Sequence, residues 1–439
     1  MPTITVDQQK LVMNAFAATF QNNLIAADVV GWKQYDTEMD DRNGLQVAEQ
    51  VGPRYAVRQT TDGVADLSSG VQDSVFGSEQ FKVNKTFATD MGWGDFQKIR
   101  DIGDARESEA LKNAATNLAE TIDSYILGVA VKASNNWTGT TDGVTVSGHD
   151  DVARAYTRLK EEGVDDSDLR LVLSYADREA LSSTILAYPS TDSLATGNFR
   201  KGFEGEINGL PTMFTQQLPA LTTGSRAVSG ANVKMNAATQ NVNYKDVAKS
   251  AAPGQYMTQT INMTVSAGGT ETVKDGEIFT INGVYAWDNR AGVTTGRLQQ
   301  FRVVGDHTAV AGAITAMRIF PAIIVPGSGT GGDINVNTAH ATVDSVPAAA
   351  ALITFVGALS TAYRPRALIQ KGAIIVNTAP LIMPATGEGT RKSLTKVPLT
   401  VRMWKHSDFN TGAHSVRFDV ALTANVKDRR RLVRLNGVA

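Results

Sequence analysis

Residues 104–133 read DARESEALKNAATNLAETIDSYILGVAVKA, and this stretch sets the fold. Leu111, Ala115, Leu118, Ile122, Tyr125 and Val129 recur at alternating steps of four and three. That spacing lays a narrow apolar seam along one long α-helix. Gly103-Asp104 with Glu107 three residues on is a capping-box-like start. At about 1.5 Å per residue, such a helix is roughly 45 Å long.

Upstream of the helix, Phe81, Val83 and Phe87 alternate with Lys82, Asn84 and Thr86, the pattern of a half-buried strand. Before that, residues 45–80 are rich in Gly, Ser, Thr, Gln and Asp, with Gly52-Pro53, Asp62-Gly63, Gly70 and Gly77. A stretch this polar builds no core of its own and reads as an extended loop with a role outside its own domain. Residues 1–44 read as an N-terminal arm: a helix with a loose apolar stripe (Val12, Ala15, Phe16, Ala18 to Phe20), then the acidic cluster Asp36, Glu38, Asp40 and Asp41.

Downstream, the pattern is α/β. Val152, Ala155, Tyr156 and Leu159 mark a helix over 150–163, Leu169, Leu171 and Leu173 a strand, and Ala176 to Leu186 another helix. From about 222 to 338 Gly, Ser, Thr and Asn dominate and strand signals follow one another, including a hairpin signal at Asn282-Gly283 within Ile278 to Trp287. Short strands at regular spacing between α/β pieces predict a small β-barrel inserted over 223–338. After the Gly-rich linker Gly327 to Gly332, Pro347 following Asp344-Ser345 predicts a helix to about Ala362. The chain closes with a hairpin, Pro398 to Lys405 and Ser415 to Ala424, and the tail VKDRRRLVRLNGVA.

Composition narrows the function classes. The 439 residues carry a formal net charge of -2, so the chain as a whole is no electrostatic nucleic-acid binder. With no cysteine, disulfides, thiolate zinc sites and thiol nucleophiles are excluded. The five histidines include no i, i+4 pair. The N-terminus lacks the basic region of a signal peptide. The most apolar run, Val346 to Leu359, is shorter than the about 20 residues a bilayer demands, so no membrane segment is expected.

Candidate chemistry is thin. An EF-hand starting at Asp36 wants Gly where Asp41 stands and Glu where Val47 stands, so the cluster reads as a solvated turn and no metal site is assigned. Gly327 to Gly332 lacks the Lys-Ser/Thr of a phosphate cradle. His406, Ser407 and Asp408 are neighbours on a turn, without the spatial logic of a triad. Glu161-Glu162 and Asp165-Asp166 read as a solvated helix end. No catalytic residue, cofactor or metal is expected. The tail, with a net charge of +4 across 427–434, reads as a contact with acidic patches of a neighbouring subunit in preference to nucleic acid.

Four passages carry a resemblance. They are ATDMGWGDFQKIRDIGDARE (Ala88 to Glu107) leading into ALKNAATNLAETID; FEGEINGLPTMFTQQLPALTTGSRAVSGA (Phe203 to Ala231), with its run Leu218-Pro-Ala-Leu-Thr222; GEIFTINGV (Gly276 to Val284); and INVNTAHATVDSVPAAAALITFVGA. Over nearly the full length the chain resembles the coat proteins of short-tailed phages of the P-twenty-two type. The resemblance implies an α+β, HK-ninety-seven-like phage capsid fold: long spine helix, peripheral and axial domains, extended loop, and an inserted β-barrel domain. Mapped on this chain, the arm is 1–44, the extended loop 45–80, the peripheral domain 81–134 and 396–439, the axial domain 135–222 and 339–395, and the insertion 223–338. It further implies a homo-oligomer of hexamers and pentamers in an icosahedral shell, a scaffolding protein, a portal protein, packaged DNA bound non-specifically on the inner face, expansion on maturation, and a virion component assembled in the host cytoplasm.

The residues point the same way, because a polar loop and an arm gain too little apolar burial within one copy to offset their ordering entropy. The expected contacts with neighbouring copies are Arg54, Arg58, Asp62 and Asp66 in the loop and Arg429, Arg430, Arg431 and Arg434 in the tail. Three other readings stand beside this one: an encapsulin-like nanocompartment shell around an enzyme cargo, a β-rich surface adhesin, and an enzyme, which would need convergent polar residues in a pocket.

Overall fold

The computed structural model describes residues 6–35, 45–53, 55, 63, 74–92, 109–139, 145–186, 206–236, 244–248, 255–326, 340–383, 388–407 and 414–436. The chain divides into two compact units. One comprises Met1–Val47, Phe81–Val129 and Gln370–Lys427; the other comprises Ala48–Gln80, Ala130–Ile369 and Asp428–Ala439.

The first unit holds a sheet in the order Gly31–Gln34, Ile374–Thr378, His414–Val426, Thr400–Ser407, Glu388–Ser393, with Thr86–Gly92 also paired to His414–Val426. The strand His414–Val426 organises it. Residues 415–421 pair antiparallel with Thr86–Gly92, residues 414–420 with Thr400–Ser407, and residues 422–426 with Ile374–Thr378. Val416, Phe418, Val420 and Leu422 alternate along it and are all buried.

The arm helix Val6–Asn23 buries Val12, Met13, Phe16, Ala17 and Phe20. Phe16 stacks on Phe418 with ring centroids 3.9 Å apart and planes 2° from parallel. This corrects the expectation that the arm needs a neighbouring copy to become ordered. Its stripe, at i, i+3, i+4 spacing, supplies several large side chains, each contributing roughly 1.5–3 kcal/mol on burial. The acidic cluster 36–41 lies outside the described residues.

The spine helix runs Glu109–Ala133, and the start expected at 104–108 lies outside the described residues. Leu111, Ala115, Leu118 and Ile122 are buried as their spacing predicts. The seam widens beyond Ile122: no position from 122 to 131 is exposed, and Ile126, Leu127, Ala130 and Val131 are buried as well. The strand expected across Phe81 to Phe87 is two strands, Gly77–Val83 and Thr86–Gly92, broken at Asn84-Lys85.

In the second unit a mixed sheet runs Asn136–Thr138, Leu432–Leu435, Arg366–Gln370, Leu169–Leu173, Leu210–Phe214, Glu206–Ile207. The helix His149–Glu161 packs Val152, Ala155 and Leu159 into a core with Leu171, Leu173, Leu368, Val433 and Leu435. The expected division placed the whole of 396–439 with the spine and 339–395 with the axial part. Instead, Ile374–Thr378 and Glu388–Ser393 belong to the sheet of the first unit, and Leu432–Leu435 is an inner strand of the second. All four residues of that last strand are buried, which fits a strand with neighbours on both sides.

The same unit contains the barrel. Its strands follow the order Lys234–Met235, Gln259–Thr264, Ala313–Phe320, Val293–Val303, Ile278–Asp288, Ile353–Phe355. A bridge between Lys234 and Leu352, with hydrogen bonds from the Met235 N–H to the Ala351 carbonyl and from the Ile353 N–H to the Val233 carbonyl, joins the last strand to the first. Six strands thus close around Met263, Phe279, Ile281, Phe301, Met317 and Phe355.

Two expectations fail here. The helix from Pro347 to Ala362 is absent; Ile353–Phe355 instead pairs with 279–281. Ile353, Thr354 and Phe355 are good strand formers, and closing the barrel outweighs the helix propensity of the four alanines before them. The barrel therefore extends past the expected boundary at 338. Asn282-Gly283 is no hairpin turn either, since Ile278–Asp288 runs straight through it. Gly283, at φ +80°, sits where the register shifts between Thr280 and Tyr285. A bulge needs the same positive φ as a turn, so the dipeptide signals both.

Candidate functional site

The geometry worth explaining is how the barrel is attached and where the tail goes. The chain passes into the barrel at 221–227 and out at 355–362, and these two passages are tied together. Leu221–Thr222 pairs with Ala362–Tyr363, and the Thr223 hydroxyl donates to the Ala358 carbonyl at 2.6 Å. Arg226, fully buried, donates Nε to Glu277 Oε2 at 2.7 Å, Nη1 to the Gly357 carbonyl at 3.0 Å and Nη2 to the Val356 carbonyl at 2.8 Å. Its guanidinium lies 4.5 Å from the centre of the Phe355 ring. Glu277 Oε1 accepts from the backbone N–H groups of Lys274 and Gly224. A Cβ on Gly224 would lie 1.9 Å from the Thr272 carbonyl oxygen, so only glycine fits.

One barrel strand makes a second attachment within the same unit. The Gln300 side chain accepts from the Trp137 N–H at 2.7 Å and donates to the Trp137 carbonyl at 3.0 Å. It thereby imitates a strand neighbour for Asn136–Thr138, the edge of the mixed sheet. Arg290 donates to the Gly163 carbonyl at 2.6 Å, and Arg297 pairs with Glu161 at 3.2 Å, both at the end of the helix His149–Glu161, where cations are favoured.

The structure separates the four tail arginines. Arg434 is 1% exposed and donates to the carbonyls of Ser134 and Gly276. Arg429 is 8% exposed and pairs with Glu79 at 2.8 Å. Both are engaged inside their own chain. Arg430 and Arg431 pair with Asp428 and keep side chains 30% and 42% exposed. The apolar neighbours Leu432, Val433 and Leu435, which mark a strand covered on both faces, were the signal that could have removed Arg434 from the set.

Of the loop, Arg54, Arg58, Asp62 and Asp66 lie outside the described residues. The described parts show Tyr55 bonded to Ser74 at 2.6 Å, with Tyr55 and Phe76 exposed and Val75 buried among Tyr244, Val247, Ala322 and Ile324. The loop is thus anchored near its end by Val75 and by the pairing of Glu79 with Arg429, and presents two aromatic side chains.

Sequence reasoning missed Asp123. It lies on the spine helix, 1% exposed, and accepts from the N–H groups of Ile25 and Ala26, both at 2.9 Å, where the arm turns. Burial, the dominant cause, raises its pKa to about 7, against the lowering effect of those two hydrogen bonds; Glu120 on the same helix adds to the rise. A carboxyl whose folded pKa is raised stabilises the fold most below its unfolded value near 4, and that contribution is lost as pH climbs through about 7. Urea unfolding across pH 4 to 8 should show wild-type stability falling more steeply than that of Asp123→Asn. Parallel slopes would refute this.

No group of His, Asp and Glu fit to hold a metal occurs among the described residues. No helix of the described residues is long and apolar enough to cross a membrane. Asp166 is engaged by Lys160 and the Tyr156 hydroxyl at the surface. Residues 327–332 and Asp408 lie outside the described residues.

The family model described as P22 coat protein, gene protein 5, matches residues 1–431. No curated protein matches the sequence. Among solved structures, the capsid of cyanophage P-SCSP1u aligns at 8% identity and TM-score 0.41, covering 94% of this chain and 88% of that one. The mature capsid of bacteriophage PhiM1 aligns at 9% and 0.41, covering 94% and 86%. The CUS-3 coat protein I-domain is 29% identical over 29% of this chain and 95% of its own, at TM-score 0.20.

Proposed function

The chain belongs to the P22 coat protein family, and from that membership we propose that its copies first assemble around a scaffolding protein in the host cytoplasm, then expand as DNA enters through a portal. That it is a phage major capsid protein of HK-ninety-seven-like fold, a structural component of the icosahedral head, follows from the family itself. The family is not a class of enzymes. The nanocompartment and adhesin readings find no support in it.

The observation that carries the proposal is the match over residues 1–431. Its support in the fold is the exposure of Tyr55 and Phe76, at 54% and 58%, on a loop rich in polar residues. Large aromatic side chains left in water are suited to cover by another copy. Arg54, Arg58, Asp62, Asp66, Arg430 and Arg431 supply charged groups around such a contact. DNA on the inner face is held non-specifically, and counterions neutralise most of its charge.

Deleting residues 50–75 should leave subunits that are folded by circular dichroism but build no closed shells in electron micrographs. Normal shells from the deletion would overturn the role of the loop. Shells of the full chain should also form with scaffold in the absence of nucleic acid; strict dependence on DNA would count against the scaffolded route.

A further inference from the structure

Glu79, Arg302, Arg429 and Arg434 form one cluster in the second unit, 2%, 6%, 8% and 1% exposed. Three guanidinium groups stand against one carboxylate. The carboxylates nearby do not make up the difference. Asp428 is held by Arg430 and Arg431, and the partly exposed Asp275, which accepts from the Gly305 N–H, also acts on Arg302, which still leaves three guanidinium groups against two carboxylates. Buried cations without matching anions are strongly unfavourable. Arg302 shows the strain: burial first, and then the charge of Arg429, bring its pKa down to about 9, with Arg434 adding to the fall while Asp275 and Glu79 oppose it.

The hydrogen bonds leave a defined pattern. Arg302 Nη1 donates to the Lys132 carbonyl at 2.8 Å, and Arg429 Nη2 donates to Glu79 Oε1 at 2.8 Å. Among the described residues, Nε of Arg302 and Nε of Arg429 have no acceptor, and Glu79 Oε2 has no donor. Two charged donors and one carboxylate acceptor therefore remain in the same cluster. An ordinary anion satisfies the donors and is repelled by Glu79. An oxyanion that carries a hydroxyl satisfies all three atoms.

We propose that this cluster binds hydrogen phosphate, with Nε of Arg302 and of Arg429 donating to its anionic oxygens and its hydroxyl donating to Glu79 Oε2. Sulfate and phosphodiesters have no proton to give and are rejected by the carboxylate, so the ligand is free phosphate and not the backbone of packaged DNA. A site built to pair a substrate hydroxyl discriminates strongly against analogues that lack it.

The test uses the purified full-length protein at pH 7, melted and titrated calorimetrically with phosphate, sulfate or dimethyl phosphate at ionic strength matched with chloride. Phosphate should raise the melting temperature saturably, by roughly 2–5 °C at a hundredfold excess over its Kd. Sulfate and dimethyl phosphate should bind at least about tenfold more weakly. Arg302→Gln and Arg429→Gln should lose the phosphate response. Glu79→Gln should accept sulfate as well as phosphate, because its amide donates. Identical wild-type behaviour in phosphate and chloride overturns the proposal, as does equal binding of phosphate and sulfate. The wild-type comparison decides even where a variant fails to fold.

Discussion

Replacing Asp419 by alanine should cost the first unit about 3–5 kcal/mol, the range seen when one partner of a buried ion pair is removed. Asp419 is fully buried on the organising strand His414–Val426. Its Oδ2 accepts from Arg402 Nη2 at 2.7 Å, Arg402 Nε at 3.2 Å and Trp404 Nε1 at 3.1 Å, and its Oδ1 accepts from Arg417 Nε. Truncation leaves the Arg402 guanidinium, 9% exposed, without this counterion, and removes the Asp419 acceptor of the Trp404 N–H. The Arg402 Nη1 bond to the Ile382 carbonyl survives but neutralises no charge. Arg417→Ala is the control: that side chain is 41% exposed, and such pairs are worth under about 1 kcal/mol. Urea unfolding followed by circular dichroism measures both. A loss below about 1 kcal/mol for Asp419→Ala would show that the strand does not depend on this network.

Glu277→Ala should be comparably damaging, by about 3–5 kcal/mol, and confined at first to the barrel. It leaves Arg226 buried and unpaired and removes the acceptor of the Lys274 and Gly224 N–H groups where the chain crosses into the barrel. Exchanging the pair for apolar side chains, Arg226→Met with Glu277→Leu, should recover much of the loss, because the cost lies in the stranded charge. Hydrogen exchange on the full chain locates the effect: protection should fall in 257–264, 278–303 and 313–320 before it falls in the sheet around His414–Val426. Uniform loss across both units, or no rescue by the double replacement, would mean that the clamp is not what holds the barrel.

The long helix, the helix, strand and helix over 149–186 and the closing hairpin were legible because each has a period that local geometry demands. Leu111, Ala115, Leu118 and Ile122 face inward at helical spacing, and Val416, Phe418, Val420 and Leu422 do so at strand spacing. Failures clustered where a local signal has two meanings. Asn282-Gly283 offers a positive φ that serves a bulge as well as a turn. The alanines after Pro347 favour a helix until Ile353 meets Ile281 and Phe355 meets Phe279. Charge is ambiguous in the same manner. Arg429, Arg430, Arg431 and Arg434 look alike in a row of letters, yet two are buried and two are partly in water.

Periodicity and the polar character of 45–80 were properties of the chain alone, and they were enough to indicate a long helix, an extended loop and an inserted β domain; the structural role came from the resemblance of four passages to the coat proteins. The partners of its buried charges were not such properties, because Asp123, Glu277 and Asp419 meet groups 97, 51 and 17 residues away. A carboxylate written in a sequence has no address. Whether it is solvated, titrates near neutrality or anchors a guanidinium depends on which distant segment folding brings beside it and how much water that segment displaces.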